Sequence, residues 1–197
     1  MIKKGDVMKV AICSDIHGNI EAFNRFLEII EYEGINKVLN LGDFVRGKDP
    51  DKIIDHIMND SRFESIIGNH DEAYCLEVGE FATETDKKYI EWIKTQPKDR
   101  VVEVEGKKIL MVHSRPSSNK CAPLIYNGGT FNEFMDDYPD GMDLICFGHT
   151  HIQLFIENFY GKKILNPGSL GLAIGGKVNF AIIEIENDEF TCKLYKI

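Results

Sequence analysis

The sequence predicts an α/β fold, with helices outside either one mixed sheet or two packed sheets, and three observations carry that expectation. In the N-terminal half, short apolar runs alternate with segments of helical period. In the C-terminal half, runs alternating at period two and parted by turn residues read as hairpins. No repeat, low-complexity tract or linker interrupts the chain, so one layered domain spanning 1–197 is expected.

The elements follow in order. Met8 to Ser14 reads as a buried strand. Asn19 then serves as N-cap for a helix with Ile20, Phe23, Leu27 and Ile30 on one face, stopped near Gly34. Lys37 to Leu41 is a second strand, ending at Gly42-Asp43. Asp49-Pro50 is a cap-plus-first-turn pair opening a helix with Ile53, Ile54, Ile57 and Met58 apolar. Phe63 to Ile67 is a third strand. Residues 72–97 read as a helical excursion closed by Pro97, with Tyr89, Ile90 and Ile93 on one face. Val101 to Val104 and Lys108 to Val112 form a hairpin around Glu105-Gly106. Thr130-x-x-Glu133 is a capping box for a short helix. Leu144 to Phe147, Gln153 to Glu157, Lys163 to Leu165, Asn179 to Ile185 and Phe190 to Tyr195 complete the strands. Gly175-Gly176-Lys177 lacks a phosphate-loop frame and reads as a turn.

Composition narrows the function. The 197 residues carry a net charge of −9, with 43% hydrophobic and 28% charged, which suits a globular chain with a substantial core. The acidic balance argues against a nucleic-acid surface, since that affinity comes from Lys and Arg neutralising phosphates. It permits a small phosphate ester, because bound metal ions reverse the local sign. The cysteines Cys13, Cys75, Cys121, Cys146 and Cys192 form no Cys-x-x-Cys, and their pattern points to a reducing cytoplasm. Cys13 and Cys146 lie in apolar runs and are expected in the core. No apolar leader or membrane-length segment is present in the sequence, and with Met8 as a second plausible start residues 1–7 read as an add-on.

Five of the six histidines fall in short segments that follow strand-like runs. The segments are Asp15-Ile16-His17-Gly18-Asn19, Gly68-Asn69-His70-Asp71, Val112-His113-Ser114 and Gly148-His149-Thr150-His151, with Gly42-Asp43 adding a carboxylate. Strand-end loops bring such groups together from distant parts of a chain. A divalent pair about 3.5–4 Å apart needs a carboxylate between the ions and neutral imidazoles and oxygens around it. Asp15 and His17 can point the same way if their turn stays partly extended, and His149 and His151 repeat the spacing. Glycines 18, 42, 68 and 148 allow sharp turns beside the donors. With no thiolate in the set, Mn, Fe or Zn is favoured over copper. Any one segment alone would be an ordinary turn or surface pair, as His56 in the second helix is expected to be; their co-occurrence is what speaks.

Taken together, Asp-x-His, Gly-Asp, Gly-Asn-His-Asp, a later single His and Gly-His-Thr-His resemble the signature of the calcineurin-like metallophosphoesterases. Asn166-Pro167-Gly168-Ser169 is similar to a turn common in the small YfcE-type phosphodiesterase branch. The resemblance implies a four-layer α/β/β/α sandwich of two mixed sheets flanked by helices. It implies two divalent ions, with manganese first and Fe, Zn or Ni as alternatives. Asp15, His17 and His151 would hold one ion; Asn69, His113 and His149 would hold the other; Asp43 would bridge them. His70 would stand unligated beside the substrate as the catalytic residue. Relatives of the phosphoprotein phosphatase type carry Gly-Asp-x-Val-Asp-Arg-Gly, whereas Gly42-Asp43-Phe44-Val45-Arg46-Gly47 lacks the second Asp that would orient His70. The usual His-Gly is replaced by His113-Ser114-Arg115-Pro116.

The expected activity is therefore hydrolysis of small phosphate diesters, with a metal-bridging hydroxide attacking phosphorus and His70 as general acid. Arg46 and Arg115 are candidate substrate contacts through charge on the phosphate oxygens. Two other readings compete: a non-catalytic metal-binding scaffold of the same fold, and a phosphoprotein or dinucleoside polyphosphate phosphatase. The filled ligand and His70 positions weigh against the first, and the degenerate Gly-Asp segment against the second.

Overall fold

The computed structural model describes residues 7–78, 82–116, 118–119, 137–173, 175–186 and 189–197. The chain runs β1 (Met8–Cys13), α1 (Ile20–Tyr32), β2 (Val38–Asn40), α2 (Pro50–Asn59), β3 (Phe63–Ser65), α3 (Asn69–Glu77) and α4 (Glu84–Thr95). It continues with β4 (Asp99–Val104), β5 (Lys107–Val112), β6 (Leu144–Cys146), β7 (Leu154–Phe159), β8 (Lys162–Asn166), β9 (Asn179–Glu186) and β10 (Glu189–Lys196). The strands form two five-stranded sheets, ordered β10-β9-β1-β2-β3 and β4-β5-β6-β8-β7. Both are mixed: β1, β2 and β3 are mutually parallel, as are β5, β6 and β8, while the remaining pairs are antiparallel. The expected α/β class of two mixed sheets flanked by helices is what the chain adopts.

Period-two alternation sets the layers. Val10 and Ile12 of β1 face the second sheet, whereas Ala11 and Cys13 face the helices. Ile109 and Met111 of β5 face the first sheet, and Leu110 and Val112 face outward. Both faces of these strands are covered there, so Val10–Cys13 and Ile109–Val112 are apolar without interruption. Phe23, Phe26 and Ile30 of α1 join Ile53, Ile54 and Ile57 of α2 on the outer face of the first sheet. Burying each such side chain contributes roughly 1.5–3 kcal/mol. Outside the second sheet, Tyr138 packs with Ile145, Phe147 and Ile164. Cys13 and Cys146 are buried, as expected, and the four described cysteines are free thiols. No described helix is long and apolar enough to cross a membrane.

Several boundaries differ from expectation for identifiable reasons. In α1 Phe26 joins the expected Phe23 and Ile30 as fully buried, with Ile20 and Leu27 at the margin of the core. Strand β3 stops at Ser65 because the Ile67 N–H leaves the ladder to donate to the Pro97 carbonyl. The helical excursion is two helices, and the first begins earlier than its apolar pattern suggests, at Asn69. Asp71 sets that start by accepting from the Gly68 N–H at 2.8 Å. His56 is a helix residue beside Asp60 at 3.2 Å, edge-on to Phe23 and Phe63. Gly175 and Gly176 form a left-handed turn. Cys121, the Thr130-x-x-Glu133 capping box and residues 120–129 of the loop after His113 lie outside the described residues.

Candidate metal centre

Strands β1, β2, β3, β5 and β6 deliver all the sequence-predicted donors to one end of the two sheets, at their C-terminal ends. Backbone hydrogen bonds stitch the loops there: Asp15 N–H to the Gly42 carbonyl at 3.0 Å, His17 N–H to the Asp43 carbonyl at 3.0 Å, and Gly148 N–H to the His113 carbonyl at 2.9 Å. Asp15, His17, Asp43, Arg46, His149 and His151 all have positive φ, from 47° to 77°. The left-handed region costs a non-glycine residue of order 1–3 kcal/mol, so six strained residues in one place mark a site the rest of the fold holds together. The Asp15–His17 turn is thus not partly extended. Each donor sits in the left-handed region, and that backbone, repeated at His149 and His151, turns the two side chains to a common point. Gly18 and Gly42 also take positive φ, but Gly68 and Gly148 do not. A Cβ at Gly68 would lie 2.0 Å from Asp43 Oδ1, and one at Gly148 2.0 Å from Ser14 Oγ. Those two glycines are there for close approach.

The donors form two clusters. In the first, Asp15 Oδ1 lies 3.2 Å from His151 Nε2 and 3.7 Å from His17 Nε2, and the two imidazole nitrogens face each other at 3.2 Å. In the second, Asn69 Oδ1 lies 2.8 Å from His149 Nδ1 and 3.1 Å from His113 Nε2. Asp43 stands between them, with Oδ2 3.3 Å from His113 Nε2 and 4.0 Å from His17 Nε2. The Nδ1–H of His113 donates to the Leu41 carbonyl at 2.8 Å, which leaves the Nε2 lone pair pointing inward. His149 is anchored through its backbone N–H, which donates to Asp15 Oδ2 at 3.0 Å.

This donor set fits divalent cations. Asp15 Oδ1 is buried without a hydrogen bond, and lone-pair atoms converge on it from two imidazoles. Such a buried, uncompensated group calls for a cation, and neutral nitrogens with carboxylate and amide oxygens suit borderline or hard ions. Electrostatics show the same strain. Burial opposes ionisation of Asp15, yet contacts with His151 and His17 outweigh it and hold the carboxyl well below the usual range. Burial also opposes charge on His113, but the Asp43 carboxylate overrides it and raises the imidazole to about 9. Asp43 is correspondingly lowered, against its own burial, chiefly by His113.

His70 sits at the rim. Its backbone N–H donates to Asp43 Oδ1 at 2.8 Å, and its ring Nε2 lies 4.0 Å from Asp43 Oδ2. Arg46 Nη1 approaches the ring at 3.1 Å. Burial, with His17 and Arg46 nearby, lowers the His70 pKa. The ring nevertheless lies within reach of His17 and Asp43, so a third set of donors is geometrically available. A cavity of about 560 Å³ opens beside these groups, lined by Arg46, His70, Asn69, His149, Tyr74 and Glu77. Arg115 is ion-paired with Asp137 and lines none of the described cavities at the site.

Three further residues act on the donors, though the sequence reading gave them no part at the site. Asn166 Nδ2 donates to the Gly148 carbonyl at 2.9 Å and to Thr150 Oγ1 at 3.0 Å, bracketing His149. Ser169 Oγ donates to the Asp15 carbonyl at 2.8 Å. Asp71 accepts from four backbone N–H groups. The Asn166–Ser169 turn was the available signal for the first two; Asp71 lay within a quoted segment but had no assigned part.

Fold and donor clusters together define a metallophosphoesterase, and the comparisons agree. The calcineurin-like phosphoesterase superfamily domain matches residues 8–188, and the chain belongs to that family. An uncharacterised protein of Methanocaldococcus jannaschii is 30% identical over 177 residues, covering 83% of this chain and 70% of its own length. A phosphodiesterase of the same organism is 23% identical over 189 residues, 93% of this chain and 96% of that one. A metallophosphoesterase structure from Sphaerobacter thermophilus shares the fold with a TM-score of 0.69 at 21% identity, covering 96% and 88% of the two chains. The E. coli phosphoesterase YfcE does so with a TM-score of 0.60 at 20% identity, covering 96% and 98%.

Proposed function

We propose that this chain is a two-ion phosphodiesterase acting on small phosphate diesters. The position of Asp43 carries the reading: one carboxylate oxygen faces both donor clusters. Asp15, His17 and His151 would hold one ion, Asn69, His113 and His149 the other, and Asp43 both, with manganese the first choice. Bound there, divalent ions supply Lewis-acid stabilisation of phosphate charge and acidify water near neutral pH.

The chain's own groups do the rest. The cavity beside His70 and Arg46 is large enough for the alcohol part of the ester. The Arg46 guanidinium, at the mouth of that cavity, offsets charge on the phosphate oxygens. His70 meets the leaving oxygen and donates a hydrogen to it. Its place at the rim, with the ring lining the cavity beside Arg46, supports this role. Diesters are favoured because they carry one negative charge into a chain of net charge −9. The relative named as a phosphodiesterase supports the same preference.

A profile of turnover across mono-, di- and cyclic phosphate esters, with Mn²⁺ and with EDTA, tests the proposal. Bis-p-nitrophenyl phosphate is expected to outpace p-nitrophenyl phosphate, and EDTA to abolish both. The reverse preference would remove the diester assignment, and metal-independent turnover would remove the whole mechanism.

A further inference from the structure

We propose that Asp71 is a positioning residue that aims the Asp43 carboxylate, acting through the backbone of the Asp43–Val45 turn. The inference rests on the reading of Asp43 as the shared ligand. The fully buried Asp71 carboxylate accepts from Asp43 N–H at 2.7 Å, Phe44 N–H at 3.1 Å and Val45 N–H at 3.1 Å, as well as from Gly68 N–H at 2.8 Å. It therefore ties the loop after β2 to the first turn of α3, where Asn69 and His70 sit. The tie is reciprocal, because Asp43 Oδ1 accepts from the His70 N–H at 2.8 Å. Gly68 packs against that same oxygen, with no room for a Cβ between them. With Oδ1 committed to α3, Oδ2 is the oxygen that faces His113 and His17.

Two buried carboxylates thus each bind the other's segment by its backbone. The arrangement also supplies an answer where the sequence departs from the phosphatase pattern, since Gly42-Asp43-Phe44-Val45-Arg46-Gly47 lacks the second Asp. His70 is positioned through its own N–H, which donates to Asp43 Oδ1, and through the helix start that Asp71 holds, with Arg46 rather than a second carboxylate beside its ring. Four buried N–H donors on one carboxylate also explain why an amide would be a poor substitute. An asparagine keeps one acceptor oxygen and turns an NH2 donor toward N–H groups that need an acceptor.

The test is a double-mutant cycle on metal affinity, read by Mn²⁺ titration calorimetry of the ion-free full chain. Four proteins are compared: wild type, Asp71→Asn, Asp43→Asn and the double variant. Asp71→Asn is expected to weaken both ion-binding steps by about 10–100-fold, the usual effect of losing a residue that orients a ligand. In the Asp43→Asn background the same change is expected to add no more than about twofold, since the route through Asp43 is already gone. Equal losses in both backgrounds would make Asp71 a general structural residue and overturn the proposal. Wild-type affinity in Asp71→Asn would overturn it too, and would leave the shared role of Asp43 standing. Conversely, unchanged affinity in Asp43→Asn alone would overturn that shared role and the route built on it. Asp60→Asn, which weakens a half-buried contact to Arg62 at the far end of α2, is the control: a lower melting temperature with unaltered ion affinity. Should Asp71→Asn fail to fold, amide exchange in the ion-free wild type carries the test. The Asp43, Phe44 and Val45 amides are expected to exchange as slowly as those of β1; exchange at exposed-loop rates would overturn the proposal.

Discussion

Replacing His70 separates a proton donor from a ligand. The ring lines the cavity and its Nε2 lies 4.0 Å from the Asp43 oxygen that faces the clusters, while its backbone N–H is what binds Asp43. Truncation to Ala, or replacement by Asn, therefore leaves the N–H contact in place and removes only the imidazole. General acid catalysis is worth about 10²–10⁴-fold, or roughly 2.7–5.4 kcal/mol of barrier at 1.36 kcal/mol per decade. Both variants are expected to lose kcat by about that range at saturating Mn²⁺. The loss should depend on the leaving group. A p-nitrophenolate departs with little protonation, so its defect should be small, whereas an alkyl alcohol of high pKa should show the full effect. The assay is steady-state hydrolysis of a series of aryl and alkyl methyl phosphates, paired with elemental analysis of each variant. A uniform loss across leaving groups, or a missing ion, would refute the reasoning. His17, Asp43 and His70 could themselves surround a cation, and the second result would show that they do.

Two further outcomes follow from residues away from the reacting groups. Asn166→Ala removes the donor to the Gly148 carbonyl and Thr150 Oγ1; metal affinity should fall about 10–100-fold, with stability lower by roughly 0.5–1.5 kcal/mol per hydrogen bond lost, the Gly148 carbonyl keeping the Thr150 N–H, as read by calorimetry and chemical denaturation. Asp60 is held below the usual carboxylate range first by Arg62, so its stabilising contribution is complete above the unfolded value and is lost as pH falls through the folded one. Melting curves of wild type and Asp60→Asn should accordingly differ near neutral pH and converge in acid; a gap that persists at low pH would assign the effect to packing.

Much of the centre was legible because its donors are chemically costly anywhere else. Histidines and aspartates directly after apolar runs are conspicuous, and Asp15, His17, Asp43, Asn69, His113, His149 and His151 do converge. The strands were legible too, since the central stretches of β1, β5 and β9 (Val10–Cys13, Ile109–Val112 and Phe180–Ile183) are covered on both faces and are apolar. Helix α3 was placed too late because it has no apolar stripe; among its residues only Asp71 is fully buried. Its start is decided by a carboxylate accepting backbone N–H groups, and such bonds leave no periodic trace. The same is true of Asn166 and Ser169, whose partners are carbonyls 18 and 154 residues away. Backbone conformation was equally hidden: Asp15 and His17 needed the left-handed region, not an extended turn, to aim together. Arg115 lies two residues after His113, but Asp137 supplies its ion-pair partner.

Metal content of Asp43→Asn, measured against wild type by elemental analysis after dialysis, tests the shared centre most directly. Wild type is expected to retain two ions per chain, and the variant to lose both together, since the lost oxygen faces the two clusters at once. A variant that keeps two ions, or drops one and holds the other at wild-type affinity, would contradict the account and take Asp43 out of the bridging position.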